Sequence, residues 1–215
     1  MKKQIDAKFD KTKIAKLPRV TFDGRTIVVL SLHEAEQAVN FLLAQPILGI
    51  DTETRPSFKK GVSHKVALLQ VATKDICFLF RLNYIGMSPS IVRLLEDTNV
   101  LKVGLSLRDD ILSLHKLGPF EPGWFVDIQD CMKKMGVEDM SLQKLYANFF
   151  GKRISKGQQL SNWEADVLSD KQKTYAATDA WACIHLYEEW DRLMSSGDYV
   201  VMKTKDNDNV YENHT

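Results

Sequence analysis

The chain predicts an α/β fold, a mixed β-sheet flanked by helices, on three observations. Apolar runs of strand character come early: TIVVL, ILGIDTET, VALLQVAT and ICFLF, between residues 26 and 80. A strand–helix–strand passage follows, from NVLKVGLS to GWFVDI. Beyond residue 128 the pattern is mainly helical. Adjacent strands, then a crossover, then helices describe a mixed sheet with helices packed on it.

Taken in order, TIVVL (26–30) reads as a short strand. Ser31 and Glu34 have capping-box spacing, so a helix should run from there to about Ala44. ILGIDTET (47–54) reads as a strand buried on both faces. Residues 66–73 and 76–80, joined by Lys74-Asp75, predict a hairpin. Ser88-Pro89 opens a helix ending near Asp97, because proline is tolerated in a first turn. Asn99–Ser106 is a further strand, and the helix after it stops at Gly118-Pro119. GWFVDI reads as a last strand. Helices are then expected over Gln129–Met135, Ser141–Phe150 and about Asp170–Leu193.

The 215 residues suit one large domain with short appendages, enough to bury a sizeable core. No apolar run reaches the roughly 18–20 residues of a membrane helix. The N-terminus lacks the apolar core of a secretion signal. Cys77, Cys131 and Cys183 are widely separated and odd in number, which argues against zinc or disulfide scaffolds and for reduced thiols in the cytoplasm. The net charge of +1 does not by itself mark a nucleic-acid binder. Charge is uneven, however. Residues 1–20 hold seven Lys/Arg against two Asp and read as a basic tail, and residues 196–215 read as a polar one.

Acids stand where a core is expected. Asp51 and Glu53 are two apart on a strand and therefore leave by one face. Like charges ~4 Å apart repel by roughly 4 kcal/mol at an effective dielectric near 20, so a cation is wanted between them. In GLSLRDDILSL, Asp110 falls on the helical arc of Leu107, Ile111, Leu114 and Leu117, while Asp109 falls opposite. In the last helix Tyr175, Asp179, Ala182, Leu186 and Trp190 share a face. If the three elements converge, four carboxylates form one site of hard oxygen ligands suited to Mg²⁺ or Mn²⁺.

Asp51-Thr-Glu53, Asp110 and Tyr175-Ala-Ala-Thr-Asp179 resemble the three motifs of the DEDDy 3′–5′ exonucleases. KVALLQVAT and SNWEADVLSDKQKTYAATDA resemble most the Werner-type branch and its stand-alone bacterial relatives, with ribonuclease D next. The resemblance implies a ribonuclease-H-like exonuclease domain over residues 21–195 and two-metal-ion hydrolysis of nucleic acid 3′ ends, with nucleoside 5′-monophosphates as product. It implies that Asp51 bridges both ions and that Glu53 and Asp179 bind the ion that activates water. Asp110 would support the second ion, and Tyr175 would orient the attacking water. Lys65, Arg153 and Lys156 are the expected nucleic-acid contacts, Lys156 first among them. Gln159 stands where relatives can carry a basic residue, and Leu112 where the Werner-type domain has an aromatic.

DNA is the favoured polymer and an RNA-directed, ribonuclease-D-like activity the alternative; no helicase segment is expected within this length. A haloacid-dehalogenase-type phosphatase would need Asp-x-Asp and has no place for Tyr-x-x-x-Asp. A non-catalytic nucleic-acid-binding module would be marked by loss of a carboxylate, and none is lost. Met87, Trp124 and Trp163 are expected in the core, and His185 as a packed residue rather than a ligand.

Overall fold

The computed structural model describes residues 2–203. Its elements run β1 (Lys3–Asp6), α1 (Lys11–Ile14), β2 (Arg25–Val29), α2 (Leu32–Leu42), β3 (Ile47–Thr54), β4 (Val66–Ala72), β5 (Ile76–Arg81) and α3 (Leu82–Ile85). There follow α4 (Pro89–Glu96), β6 (Leu101–Gly104), α5 (Leu107–His115), β7 (Phe125–Asp127), α6 (Ile128–Met135), α7 (Leu142–Phe150), α8 (Asp170–Ser196) and β8 (Tyr199–Met202).

Six strands form the main sheet in the order β2-β5-β4-β3-β6-β7. The β4–β5 hairpin and the β3–β4 pair are antiparallel, and the remaining pairs are parallel. The sheet is covered on both faces. On one side Leu48 and Ile50 of β3 join Leu69, Val71 and Phe80 in a core with Ala35 and Leu42 of α2, Leu94 of α4 and Leu114 of α5. On the other, Leu68, Leu79 and Val103 pack with Met132 of α6, Leu145 of α7 and Ala176, Ala180 and Ile184 of α8. Strand alternation sends neighbouring residues to opposite layers.

Local chemistry sets the element ends. The Ser31 side chain accepts from Glu34 N, and Glu34 returns to the Ser31 backbone, closing the expected capping box. Ser169 closes a second capping box with Gln172 at α8, and the Ser88 and Ser141 side chains cap α4 and α7 by accepting from Ile91 N and Lys144 N. The last helix runs to Ser196, where Gly197 takes the left-handed conformation.

The ends differ from the tails the sequence predicts. β1 pairs in parallel with β8, from Lys3 beside Tyr199 to Asp6 beside Met202. Ile5 is fully buried in the α8-side core, and Lys3 Nζ lies 2.5 Å from Glu189 Oε1 of α8. Strand pairing between segments nearly 200 residues apart has no local sign, so charge alone misread them. The rest of the predicted C-terminal tail, 204–215, lies outside the described residues.

Among the aromatics, Trp163 is fully buried as expected, but Trp124 is 47 % exposed. Its backbone serves the ladder, donating to Asp97 O and accepting from Lys102 N, while its ring stands outside the core beside the edge strand β7. His185 is packed against Trp181, ring centroids 4.0 Å apart, with Nδ1 3.2 Å from the Tyr146 hydroxyl. All three cysteines are free and buried. No helix among the described residues is long and apolar enough to cross a membrane.

Candidate active site

Asp51 and Glu53 leave β3 on the layer opposite Leu48 and Ile50, toward α8. The helix comes unusually close. A Cβ on Gly49 would stand 1.9 Å from the Ala180 carbonyl oxygen, so only glycine admits the α8 backbone there. Ala180 is the neighbour of Asp179, and the contact delivers that acid to the strand. One carboxylate oxygen from each of Asp51, Glu53 and Asp179 lies within 4.8 Å of the others.

Asp110 is outside this tight trio and is held by a different route. Thr52, between the two β3 acids but on the other face, donates from Oγ1 to Asp110 Oδ1 at 2.5 Å. The start of α5 is fixed by Asp127, whose carboxylate accepts from Ser106 N (3.1 Å), Leu107 N (2.8 Å) and Gln129 N (2.8 Å). Ser106 sits at φ 62°, an uncommon conformation for a side-chain-bearing residue. Its hydroxyl accepts from Gln129 Nε2 at 2.6 Å. Asp109 is exposed, Asp110 half-buried.

Crowded carboxylates resist ionisation. Burial first, then repulsion by Asp110, Glu53 and Asp179, holds Asp51 well above the usual carboxylate range. Glu53 is pushed up to about 9, by burial and then by Asp179 and Asp110. Burial raises Asp179 to about 7, against opposing pulls from the Tyr175 hydroxyl and Lys156. Burial raises Asp110 to about 6, opposed by the Thr52 hydrogen bond. The Tyr175 phenol is raised too, by burial and then by the charge of Asp179 and Glu53, so it keeps its proton at neutral pH.

The donor set fits a hard divalent cation. Asp179 Oδ1 is buried and without a hydrogen-bond partner, beside two further carboxylates. Oxygen-only donors with net negative charge are the environment Mg²⁺ and Mn²⁺ select.

Asp51, Glu53 and Asp179 open on a cleft of about 280 Å³ that Tyr175, Lys156 and Gln159 also line. The Tyr175 ring is backed by Trp163, centroids 6.0 Å apart. The other two expected nucleic-acid contacts are elsewhere. Arg153 Nε donates to Leu17 O at 2.9 Å, tying the N-terminal segment to the chain beyond α7. Lys65 is exposed at a separate depression beside His64 and Glu164.

Sequence reasoning missed Thr52, Asp127 and Gln70. Gln70 stands directly across from Asp51 on β4, fully buried, with neither amide atom hydrogen-bonded. A polar residue within VALLQVAT was the only available sign of it. Gly49, inside a buried strand, was a readable signal of close backbone approach.

Known proteins resemble this chain in sequence and in fold. Residues 26–194 match the family described as 3′–5′ exonuclease. The chain is 33 % identical over 172 residues to a 3′–5′ exonuclease of Arabidopsis thaliana, covering 75 % of this chain and 56 % of that protein. It is 30 % identical over 153 residues to the mouse bifunctional 3′–5′ exonuclease/ATP-dependent helicase WRN, covering 68 % of this chain and 11 % of that protein. The chain thus spans only part of these relatives' length. Among solved structures, the Aedes aegypti Nibbler EXO domain superposes with a TM-score of 0.75 at 20 % identity, covering 84 % of this chain and 94 % of that one. Escherichia coli RNase D superposes at 0.68 and 18 % identity, covering 84 % and 52 %. The fold is therefore ribonuclease-H-like, and the sequence match across 169 of 215 residues, 26 to 194, makes this chain a member of the 3′–5′ exonuclease family.

Proposed function

We propose that the protein hydrolyses nucleic acid from its 3′ end, releasing nucleoside 5′-monophosphates, with DNA as the preferred polymer and two Mg²⁺ or Mn²⁺ ions as cofactor. The unit responsible is residues 21–195. The observation that carries this reading is the meeting of Asp51, Glu53 and Asp179 beside Tyr175 in one cleft of a family member.

Asp51, Glu53 and Asp179 would hold the ions, with Asp110 completing the set from the other side of β3. Bound there, divalent ions supply positive charge at the attacking and leaving oxygens of phosphodiester hydrolysis. The protonated Tyr175 hydroxyl donates to the attacking water or a scissile phosphate oxygen, and its ring is kept in place by Trp163. Thr52 orients Asp110. Lys156, on the cleft wall, is the side chain we assign to the scissile-side phosphate. Lys65 and Arg153 lie outside the cleft.

DNA is favoured on likeness to the helicase-linked WRN exonuclease. An RNA-directed reading is supported by 27 % identity over 167 residues to a Xanthomonas oryzae ribonuclease D. The deciding test is a 5′-labelled panel of single-stranded DNA, recessed duplex DNA and RNA, sampled over time. A ladder shortening from the 3′ end, fastest on DNA, abolished by EDTA and restored by Mg²⁺ or Mn²⁺, is the expected result. Metal-independent trimming, or internal cuts, would refute the mechanism; faster RNA trimming would move the substrate to the ribonuclease branch.

A further inference from the structure

A second cleft of about 230 Å³ lies alongside the first, sharing Ile154, Ser155 and Tyr175 as its near wall. Its far wall is the N-terminal segment at Arg19–Thr21, and its floor is the first turns of α8. The segment is pinned at both ends. Arg153 N donates to Pro18 O at 2.9 Å and Val20 N donates to Arg153 O at 3.0 Å. On the other side Phe22 N donates to Thr178 Oγ1 at 3.0 Å. The cleft is thus a built feature of the fold, held by backbone hydrogen bonds.

Its chemistry is opposite to that of the catalytic cleft. No Asp or Glu lines it, whereas Arg19 and Lys171 do, together with hydroxyl and amide groups of Thr21, Thr174 and Gln158. Among the described residues neither Arg19 nor Lys171 is in an ion pair, although the chain pairs nine other Lys and Arg side chains with acids, Lys173 close by among them. Unpaired cations in a concave, acid-free site favour an anion.

We propose that this second cleft binds a backbone phosphate of the nucleic-acid strand on the 5′ side of the bond being cut, through Arg19 and Lys171. The proposal rests on the exonuclease reading above. A strand whose 3′ end enters the acidic cleft would find cations there, the metal ions and Lys156, only at the bond being hydrolysed. The neighbouring phosphates need a cationic wall within reach, and the shared Ser155–Tyr175 ridge leads directly to one.

A dinucleotide separates this role from catalysis, because its single phosphodiester is the scissile one and leaves nothing for the second cleft. The test compares wild type with R19A/K171A on a dinucleotide and on a 5′-labelled decamer, with Tm recorded for both proteins. The decamer KM is expected to rise about fivefold or more with kcat little changed, while dinucleotide kcat/KM stays at the wild-type value. The slope of log KM against log salt should fall by about 0.7 for one lost single-strand phosphate contact. The charge-retaining R19K/K171R should recover most of the decamer affinity. An unchanged decamer KM, or equal losses on both substrates at an unchanged Tm, would overturn the cleft assignment alone. A wild-type protein that trims neither substrate with Mg²⁺ or Mn²⁺ would overturn the exonuclease reading, and this proposal with it.

Discussion

Two adjacent aspartates on α5 point about 100° apart around the helix axis. Asp109 points to solvent, while Asp110 meets Thr52 at 2.5 Å. Asp110→Asn should therefore reduce turnover by about a hundredfold or more with Tm nearly unchanged, and Asp109→Asn should do little. Rates in the reverse order would sink the helical-face assignment. The same carboxylates set a pH dependence. Folded-state values are raised to about 6 at Asp110, about 7 at Asp179 and about 9 at Glu53, above the ordinary values near 4. Between those limits the native state holds more protons than the unfolded chain, so metal-free stability falls as pH rises from about 4 to about 9. EDTA-treated protein should melt at a lower temperature at pH 8 than at pH 5, and added Mn²⁺ should raise Tm more at pH 8. A Tm that climbs across that interval without metal would contradict the crowding of the acids.

Between elements, the decisive contact is β3 against α8 at Gly49. A methyl group there would collide with the Ala180 carbonyl oxygen, which is backbone and cannot rotate away. Gly49→Ala should push α8 outward and draw Asp179 away from Asp51 and Glu53. A displacement near 1 Å at a reacting centre costs about a hundredfold in rate. The expected outcome is a folded protein with that loss of turnover and weaker metal binding by calorimetry; wild-type kinetics would show that the helix position does not govern the site. The α5 entry is the second such device. Asp127 takes three backbone N–H groups, and so the strand β7 and helix α6 determine where Asp110 begins.

Across the molecule, the chain ends form a clasp on the α8 side rather than free tails. β1 and β8 pair in parallel, Ile5 is fully buried, and Lys3 meets Glu189, whose carboxyl is held down to about 2 by Arg192 first and then Lys3. Ile5→Ala should cost about 2–4 kcal/mol in urea unfolding while kcat changes little, because the clasp touches the far end of α8 rather than Asp179. An unchanged midpoint would mean the clasp is not part of the cooperative unit. The clasp leaves Arg19–Thr21 to cross beside the catalytic cleft on the way into the sheet.

Strands, helices and their caps were readable in the chain because each has a local cause: alternation in ILGIDTET, Ser31 with Glu34, Ser88 before Pro89, and an apolar arc through Leu107, Ile111 and Leu114. The acids were readable for the same reason, since charge inside an apolar face is locally anomalous. Pairing partners were not. Nothing near Lys3 names Tyr199, nothing near Thr52 names Asp110, and nothing in Arg153 foretells that its guanidinium serves Leu17. Such contacts join residues from 58 to nearly 200 positions apart and depend on which layers stack and how closely. By itself the sequence marked the acids and Tyr175 as the candidates for the chemistry. Only the tertiary structure decided their separations, because that distance is set by the approach of α8 to β3, a packing result that no short stretch contains.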